Sequence, residues 1–358
     1  MSLGNPPKRN PPLSFMELMA LERVGDIPPS NNVEAEKVEH FQSIAPPYAP
    51  GIANVAFGGH VYAQSAYAAS QTVSKGFVLH SVTGFFLLPG QLDVPFVYSV
   101  RHVRDGGNYC LRAVEARQEG RVCFSSLCSF KRPEAQQHNS SHQPPFSELE
   151  KRYESVLKGK SPEDHPIAPG IDSPWYIQYV EAGKIQEPDF PGVEVRKVDM
   201  GQYNRTDEVK KNPHEYRQLQ FYRFIGSPEQ ETGAVDELQQ KCKGRDGEYD
   251  NLFACAHLYA SDKNSLFIIP RALGQPDGWT HLASLSLTVI FHQHGDSLRM
   301  IDWDSGERKW FLEEFWTSRS GENRALHETR LWTVDGILLA TAVQDGLVKL
   351  KGPGDSKI

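Results

Sequence analysis

Apolar and polar positions along the chain fall into two series that look like rough copies of one another. The first runs through FGGHVYAQSAYAASQTV, VLHSVTGFFLLPG and NYCLRAVEARQEGRVCFSSLCSF. The second runs through FACAHLYASDKNSLF, LASLSLTVIFHQHG and ENRALHETRLWTVDGILLATAVQDGLV. Each reads as a helix, then an apolar strand ending in Gly, then a hairpin closed by Glu119-Gly120 or Asp335-Gly336. Such a repeat implies one fold used twice. In the first copy the pattern predicts a helix over 57–73, unusually rich in small residues, and strands at 77–88, 94–103, 108–118 and 121–131. In the second it predicts a helix over 249–267, strands at 281–292, 298–303, 309–319 and 323–333, and a closing strand at 336–350. The stretch 14–24, SFMELMALERV, reads as a short amphipathic helix capped by Ser14.

Five segments follow from this pattern: a flexible tail at 1–12, an N-terminal unit at 13–132, a polar, Pro-rich linker at 133–190, a C-terminal unit at 191–350 and a tail at 351–358. FSELEKRYESVL predicts a short helix inside the linker, and the polar stretch 227–249 reads as an insertion or a surface helix. A small-residue helix followed by antiparallel strands, repeated once, predicts an α+β fold: a tandem (double) hot-dog, each unit an antiparallel β-sheet wrapped around a central α-helix. An all-β sandwich has no central helix, and a parallel α/β fold alternates strand and helix, which this chain does not.

Composition narrows the class. With 358 residues, 39% hydrophobic and 23% charged, the chain has the make-up of a globular protein large enough for two domains. A net charge of −7 argues against a general nucleic-acid binder. No apolar run approaches the roughly 18 residues of a membrane span, and the start MSLGNPPKRNPP lacks the apolar core of a secretory signal. The five cysteines, Cys110, Cys123, Cys128, Cys242 and Cys255, are odd in number and lack metal-ligand spacing, so they read as reduced, mostly buried thiols.

Candidate chemistry concentrates in the second copy. Leu252, Cys255, Tyr259, Asp262 and Leu266 follow a 3, 4, 3, 4 spacing that places Asp262 on an apolar helical stripe. A carboxylate buried there needs partners, or its pKa rises; the alternative is a helix-end cap. Gln344 lies in a strand otherwise suited to burial, and a buried amide has four hydrogen-bonding sites to satisfy. Ser284 shares one strand face with Ser286 and Thr288, with Leu285, Leu287 and Val289 on the other; alternation does not say which face meets the helix, and a bulge reverses the answer. Asp262 has no counterpart carboxylate in the first copy, where Gly58, Gly59 and His60 stand in roughly its place and Cys128 in that of Gln344. His60, His80 and His292 read as structural hydrogen-bonders, Asp105 as a turn residue, and Arg101, Arg104 and Arg112 as solvated strand-edge charges, the alternative being contacts to an anionic ligand's phosphates.

The stretches FGGHVYAQSAYAA, LHSVTGFFLLPG, VRDGGNYCLRAVEARQEG, YASDKNSLF, LTVIFH and DGILLATAVQDGLV, in that order, resemble the acyl-CoA thioesterase II family. The resemblance implies a double hot-dog that hydrolyses fatty acyl-CoA to free fatty acid and CoA, with no cofactor and no metal, CoA being part of the substrate. It also implies a catalytic set of an acid on the second helix, a Thr or Ser on the next strand and a Gln on the last, which falls on Asp262, Ser284 and Gln344. Asp262 then activates a water that Ser284 and Gln344 hold. The oxyanion donor is left open between a helix N-terminus and the Gln344 amide. After Phe291-His292 this chain has Gln293-His294, unlike the family's usual pair.

Two alternatives stand beside this reading. One is a hot-dog enoyl-CoA hydratase or dehydratase, against which the run Ser261-Asp262-Lys263-Asn264-Ser265-Leu266 lacks the Gly-Asp-x-Asn-Pro-x-His pattern. The other is a non-catalytic acyl-CoA-binding protein. No Gly-x-Ser-x-Gly elbow points to a serine hydrolase. The expected partner is acyl-CoA, with no nucleic acid and no membrane insertion; a homo-oligomer is compatible with the pattern. The C-terminal Ser356-Lys357-Ile358 is similar to a Ser-Lys-Leu peroxisomal address and implies contact with the import receptor, the alternative location being the cytoplasm.

Overall fold

The computed structural model describes residues 13–25, 37–134, 141–225, 249–302 and 304–352. The tail at 1–12, nearly all of 227–249, and Ser356, Lys357 and Ile358 lie outside the described residues.

Twelve strands are described: β1 (Leu21–Val24), β2 (Val38–Ser43), β3 (Val78–Phe86), β4 (Val97–Asp105), β5 (Tyr109–Gln118), β6 (Arg121–Lys131), β7 (Val193–Lys197), β8 (Gln218–Phe224), β9 (Trp279–Phe291), β10 (Phe311–Gly321), β11 (Arg324–Thr333) and β12 (Leu338–Leu350). They form one sheet in the order β1-β2-β4-β5-β6-β3-β9-β12-β11-β10-β8-β7. Read from its two ends the order is the same, so two six-stranded units join edge to edge at β3 and β9. At that seam Thr83 pairs with Thr288, and the Thr288 hydroxyl donates to Thr83 Oγ1 at 3.1 Å. A pseudo-two-fold axis through this pair relates the units. The first central helix (Gly58–Ser70) and the second (Asp250–Ser261) pack against each other inside the sheet. Alternation supplies one wall of each core: Val82, Val114, Phe124 and Phe130 in the first unit, Leu287, Val289, Phe311 and Leu331 in the second, all buried. The tandem hot-dog is therefore the architecture.

Local context overrides the sequence pattern at three places. The N-terminal helix covers only Phe15–Met19, with Ser14 and Glu17 forming a reciprocal capping box. Five residues are below the length at which a helix holds itself, and Leu21–Val24 pairs with β2 instead. Among the described residues of 298–303 the expected strand does not form. Gly295–Leu298 is a 3₁₀ turn, Ile301 makes a single bridge to Arg308, and Asp302 Oδ1 accepts from the N–H groups of Asp304 and Ser305 to turn the chain. The second central helix stops at Ser261 because Asn264 adopts a left-handed φ of 60°; Leu266 thus belongs to a following 3₁₀ turn, off the stripe that holds Asp262. The short helix expected within the linker forms as two, Phe146–Arg152 and Glu154–Leu157, and Leu149, Tyr153 and Val156 pack with Leu219, Phe221, Leu312 and Trp332 on the outer face of the second unit.

Candidate functional site

Asp262 caps the C-terminus of the second central helix and is only 7% exposed. Both the cap and the buried-carboxylate readings are therefore correct. Gln344 projects inward from β12 and its Nε2 donates twice, to Asp262 Oδ1 at 2.7 Å and to Ser284 Oγ at 2.8 Å. An ionised carboxylate only accepts, so the amide nitrogen has to face it. Because Ser284 Oγ accepts from the amide, its own proton is free for another partner. Ser265 Oγ adds a bond to Asp262 Oδ1 at 3.3 Å, and the Gly59 N–H donates to the same carboxyl. Burial raises the Asp262 pKa to about 6, against the pull of Gln344, Ser265 and the Gly59 N–H.

A bulge places Ser284. Along β9, Leu287 pairs with Gln344 and Ser286 with Asp345, but Ser284 pairs with Gly346, leaving Leu285 unpaired. Leu287, Val289 and Phe291 face the helix. The extra residue turns Ser284 to that side too, away from the face it would share with Ser286 and Thr288. The three residues predicted from sequence thus meet in one hydrogen-bonded cluster.

The first unit's part differs from expectation. Gly58 and Gly59 open the first helix, whereas Asp262 closes the second; the helices cross so that these ends meet. The glycines are contacts of Asp262, not its counterpart. A Cβ on Gly58 would stand 2.9 Å from Asp262 Oδ2, and one on Gly59 would stand 3.0 Å from the Tyr259 carbonyl oxygen. The residue matching Asp262 at the first helix's C-cap is Gln71. Counting from the Thr83–Thr288 pair, Val82 answers to Leu287, so Cys128, paired with Val82, answers to Gln344 as the repeat suggests. Leu79, beyond a matching register slip, answers to Ser284. Burial pushes the Cys128 thiol up to about 12. Gln71, Leu79 and Cys128 hold no carboxylate and no water-holding amide and hydroxyl pair.

The histidines read as structural have structural partners. His60 Nδ1 accepts from the Tyr48 N–H at 3.1 Å, His80 Nδ1 meets Ser129 Oγ at 3.2 Å, and His292 Nε2 meets Thr341 Oγ1 at 2.8 Å. Arg112 is a correction: it is 1% exposed, bonded to Asp105 at 2.5 Å and to Thr72 Oγ1 at 2.9 Å, a buried brace between strands and helix. Sequence reading also missed Lys263. Its Nζ donates to the Pro169 carbonyl at 2.9 Å and lies over the Phe190 ring, while Asn264 Nδ2 donates to the same carbonyl at 2.8 Å. The linker is thereby pinned beside Asp262. Burial lowers the Lys263 pKa to about 8. The one signal in the chain was the unusual Asp-Lys-Asn run at the helix end.

A family model described as the acyl-CoA thioesterase N-terminal domain matches residues 45–131, and one described as the C-terminal domain matches residues 194–348. The chain is 27% identical over 304 residues to acyl-coenzyme A thioesterase 8 of Mus musculus, covering 82% of this chain and 80% of that protein. It is 28% identical over 121 residues to the peroxisomal acyl-coenzyme A thioester hydrolase 1 of Saccharomyces cerevisiae, covering 33% of this chain and 32% of that protein. Its fold is shared with the crystal structure of an acyl-CoA thioesterase II from Mycobacterium marinum, at a TM-score of 0.59 and 23% identity over 95% of this chain and 99% of that one. The two family models cover well over half of the sequence, each in the unit whose order and fold it describes, and the chain belongs to the acyl-CoA thioesterase II family.

Proposed function

We propose that this thioesterase hydrolyses fatty acyl-CoA to a free fatty acid and CoA at one site per chain, with Asp262 as general base, Ser284 as the hydroxyl that holds the attacking water and Gln344 as the amide that fixes both of them in place. The observation that carries this reading is the Gln344 amide bonded at once to Asp262 and Ser284. A pKa of about 6 leaves Asp262 mostly ionised at neutral pH, yet basic enough to take a proton in the transition state. The water oxygen bonds to the thioester carbonyl carbon as its proton passes to Asp262. The tetrahedral oxyanion then collapses, the C–S bond breaks, and the thiolate of CoA leaves with the proton that Asp262 returns. The Ser284 proton, free of the amide, is the donor that orients the water. Gly59 and Gln344 already serve the carboxylate, so neither is assigned to the oxyanion.

A thiol-release assay with acyl-CoAs of several chain lengths tests the activity; steady release of one thiol per acid is expected. Hydration of an enoyl-CoA without thiol release, or binding without turnover, overturns it. Ser284→Ala and Gln344→Ala are each expected to lower kcat by about 10-fold or more, roughly one hydrogen bond to a charged or reacting group, with a smaller change in KM. A rise in KM at unchanged kcat would place these residues in CoA binding instead.

The same reading extends to a peroxisomal location, supported by the peroxisomal yeast relative. An N-terminally tagged chain is expected to co-localise with a peroxisomal marker in cells, and a uniform cytosolic distribution overturns the assignment.

A further inference from the structure

Thr317, His327 and Gln344 stand in one row across β10, β11 and β12, since Thr317 pairs with His327 and His327 with Gln344. All three point inward, and His327 and Gln344 are 2% and 1% exposed. Thr317 Oγ1, His327 Nδ1 and Gln344 Oε1 are buried polar atoms with no protein partner. Such atoms in a native interior generally meet an ordered water. Directly opposed residues on neighbouring strands bring their Cβ atoms to about 4.5–5.5 Å, so the three side chains are neighbours on the inner face, and a water bridges polar atoms of neighbours that make no direct bond. The imidazole is fixed from two other sides: its ring stacks on Phe315 at 5.5 Å between centroids, and Nε2 meets Thr329 Oγ1 at 3.0 Å.

We propose that His327 is a positioning residue of the hydrolytic site: its Nδ1 proton reaches Gln344 Oε1 through one bound water and holds the amide with its nitrogen toward Asp262 and Ser284. In the tautomer this requires, Nε2 accepts from the Thr329 hydroxyl and the ring proton sits on Nδ1; the water accepts that proton's hydrogen bond and donates its own to Oε1. The inference rests on the general-base reading of Asp262. Its chemical reason is the protonated half of the cycle. Once Asp262 holds the water's proton, a free amide could turn its oxygen to the carboxylic O–H and trap that proton. An amide whose oxygen is already bonded keeps its nitrogen on Asp262 in both protonation states. Burial lowers the His327 pKa to about 3, so the ring stays neutral throughout.

The groups around the site leave the pH readout clean. Tyr62, which faces the carboxyl from the first helix, is raised well above the ordinary tyrosine range. Lys263 beside it is lowered to about 8, Glu313 on β10 is raised to about 8, and His60 and His257 on the two helices are lowered to about 4. The acid limb of kcat near pH 6 therefore belongs to Asp262.

His327→Phe keeps the ring and removes both nitrogens. It is expected to lower kcat by about 10-fold with KM nearly unchanged, and to move the acid limb up by about half a pH unit as Asp262 loses a steady amide donor. His327→Asn, which offers an N–H near the place of Nδ1, is expected to restore most of the rate and the limb. Thr329→Val, which frees the tautomer, is expected to move the limb the same way, and it carries the test if His327→Phe does not fold. In a Gln344→Ala background, His327→Phe is expected to cost nothing further. A wild-type limb and kcat in both His327→Phe and Thr329→Val would overturn the proposal, as would equal damage from His327→Asn and His327→Phe. Full activity in Asp262→Asn instead overturns the general-base reading itself.

Discussion

Replacing Asp262 with Asn is expected to cost at least about 10²-fold in kcat, the size of a lost general base, and to leave a folded protein. The amide keeps the shape of the carboxyl and still accepts from Gln344, but it cannot take the water's proton. The same change should stabilise the fold above pH 6. The aspartyl carboxyl ionises near 3.8 when unfolded and near about 6 in the folded chain. Between those values the folded state holds the proton more tightly, so the wild type is most stable below the unfolded pKa. It loses that stability as pH rises through the folded pKa and then levels off. Two pKa units correspond to about 3 kcal/mol at most, so a gain of about 1–3 kcal/mol for Asp262→Asn at pH 8 is the expected range. Urea denaturation at pH 8 and pH 5 measures it: the variant should be the more stable at pH 8, and the gap should narrow at pH 5. A variant that is less stable at both values would mean that Asp262 is a structural cap, and near-normal kcat would end its assignment as base.

The double hot-dog was legible because its signals are local and occur twice. Helical small-residue runs, Gly-terminated apolar strands and the paired Glu119-Gly120 and Asp335-Gly336 turns all fix backbone within a few residues of themselves. Asp262 and Gln344 were legible for a related reason: each is a polar residue in a stretch whose pattern demands burial. Ser284 was legible only through family resemblance, since its face depends on the unpaired Leu285, and strict alternation carries no trace of a bulge. The pairing of Gly58 and Gly59 with Asp262 was misread because sequence order matches like with like along the helices, whereas packing brings the start of one to the end of the other. The linker's helix was legible, but not what covers it. Leu149, Tyr153 and Val156 at a 4, 3 spacing are the apolar face of the helix expected there, and its cover is the outer surface of β8, β10 and β11. Nothing near them in sequence announces that surface.

The helix crossing makes the two glycines the most sensitive positions of the first unit, and alanine at each is expected to fail in a different way. At Gly58 the new methyl would meet Asp262 Oδ2 at 2.9 Å and the edge of the Phe86 ring at 3.0 Å. Both are side-chain atoms with room to give a few tenths of an ångström, so the fold survives. The carboxyl moves off its partners and faces a methyl group, which weakens the Gln344 and Gly59 bonds that hold its pKa down. Gly58→Ala should therefore lower kcat at pH 7 by about 10-fold or more and shift the acid limb upward. At Gly59 the methyl would meet the Phe57 ring at 2.5 Å and the Tyr259 carbonyl oxygen at 3.0 Å. The carbonyl is backbone of the other helix. The Phe57 ring is itself wedged edge-on against Tyr48, Phe190 and Tyr259, with centroids at 6.1, 5.6 and 5.3 Å. Neither can yield without parting the helices, so Gly59→Ala should cost about 1–3 kcal/mol of stability from overpacking, despite alanine's better helix propensity. Denaturation curves and pH profiles of the two variants separate these effects: a large stability loss belongs to Gly59→Ala, and a shifted limb with near-normal stability belongs to Gly58→Ala. If both variants unfold early and neither shifts the limb, the glycines serve packing alone and the first unit has no hold on the carboxyl.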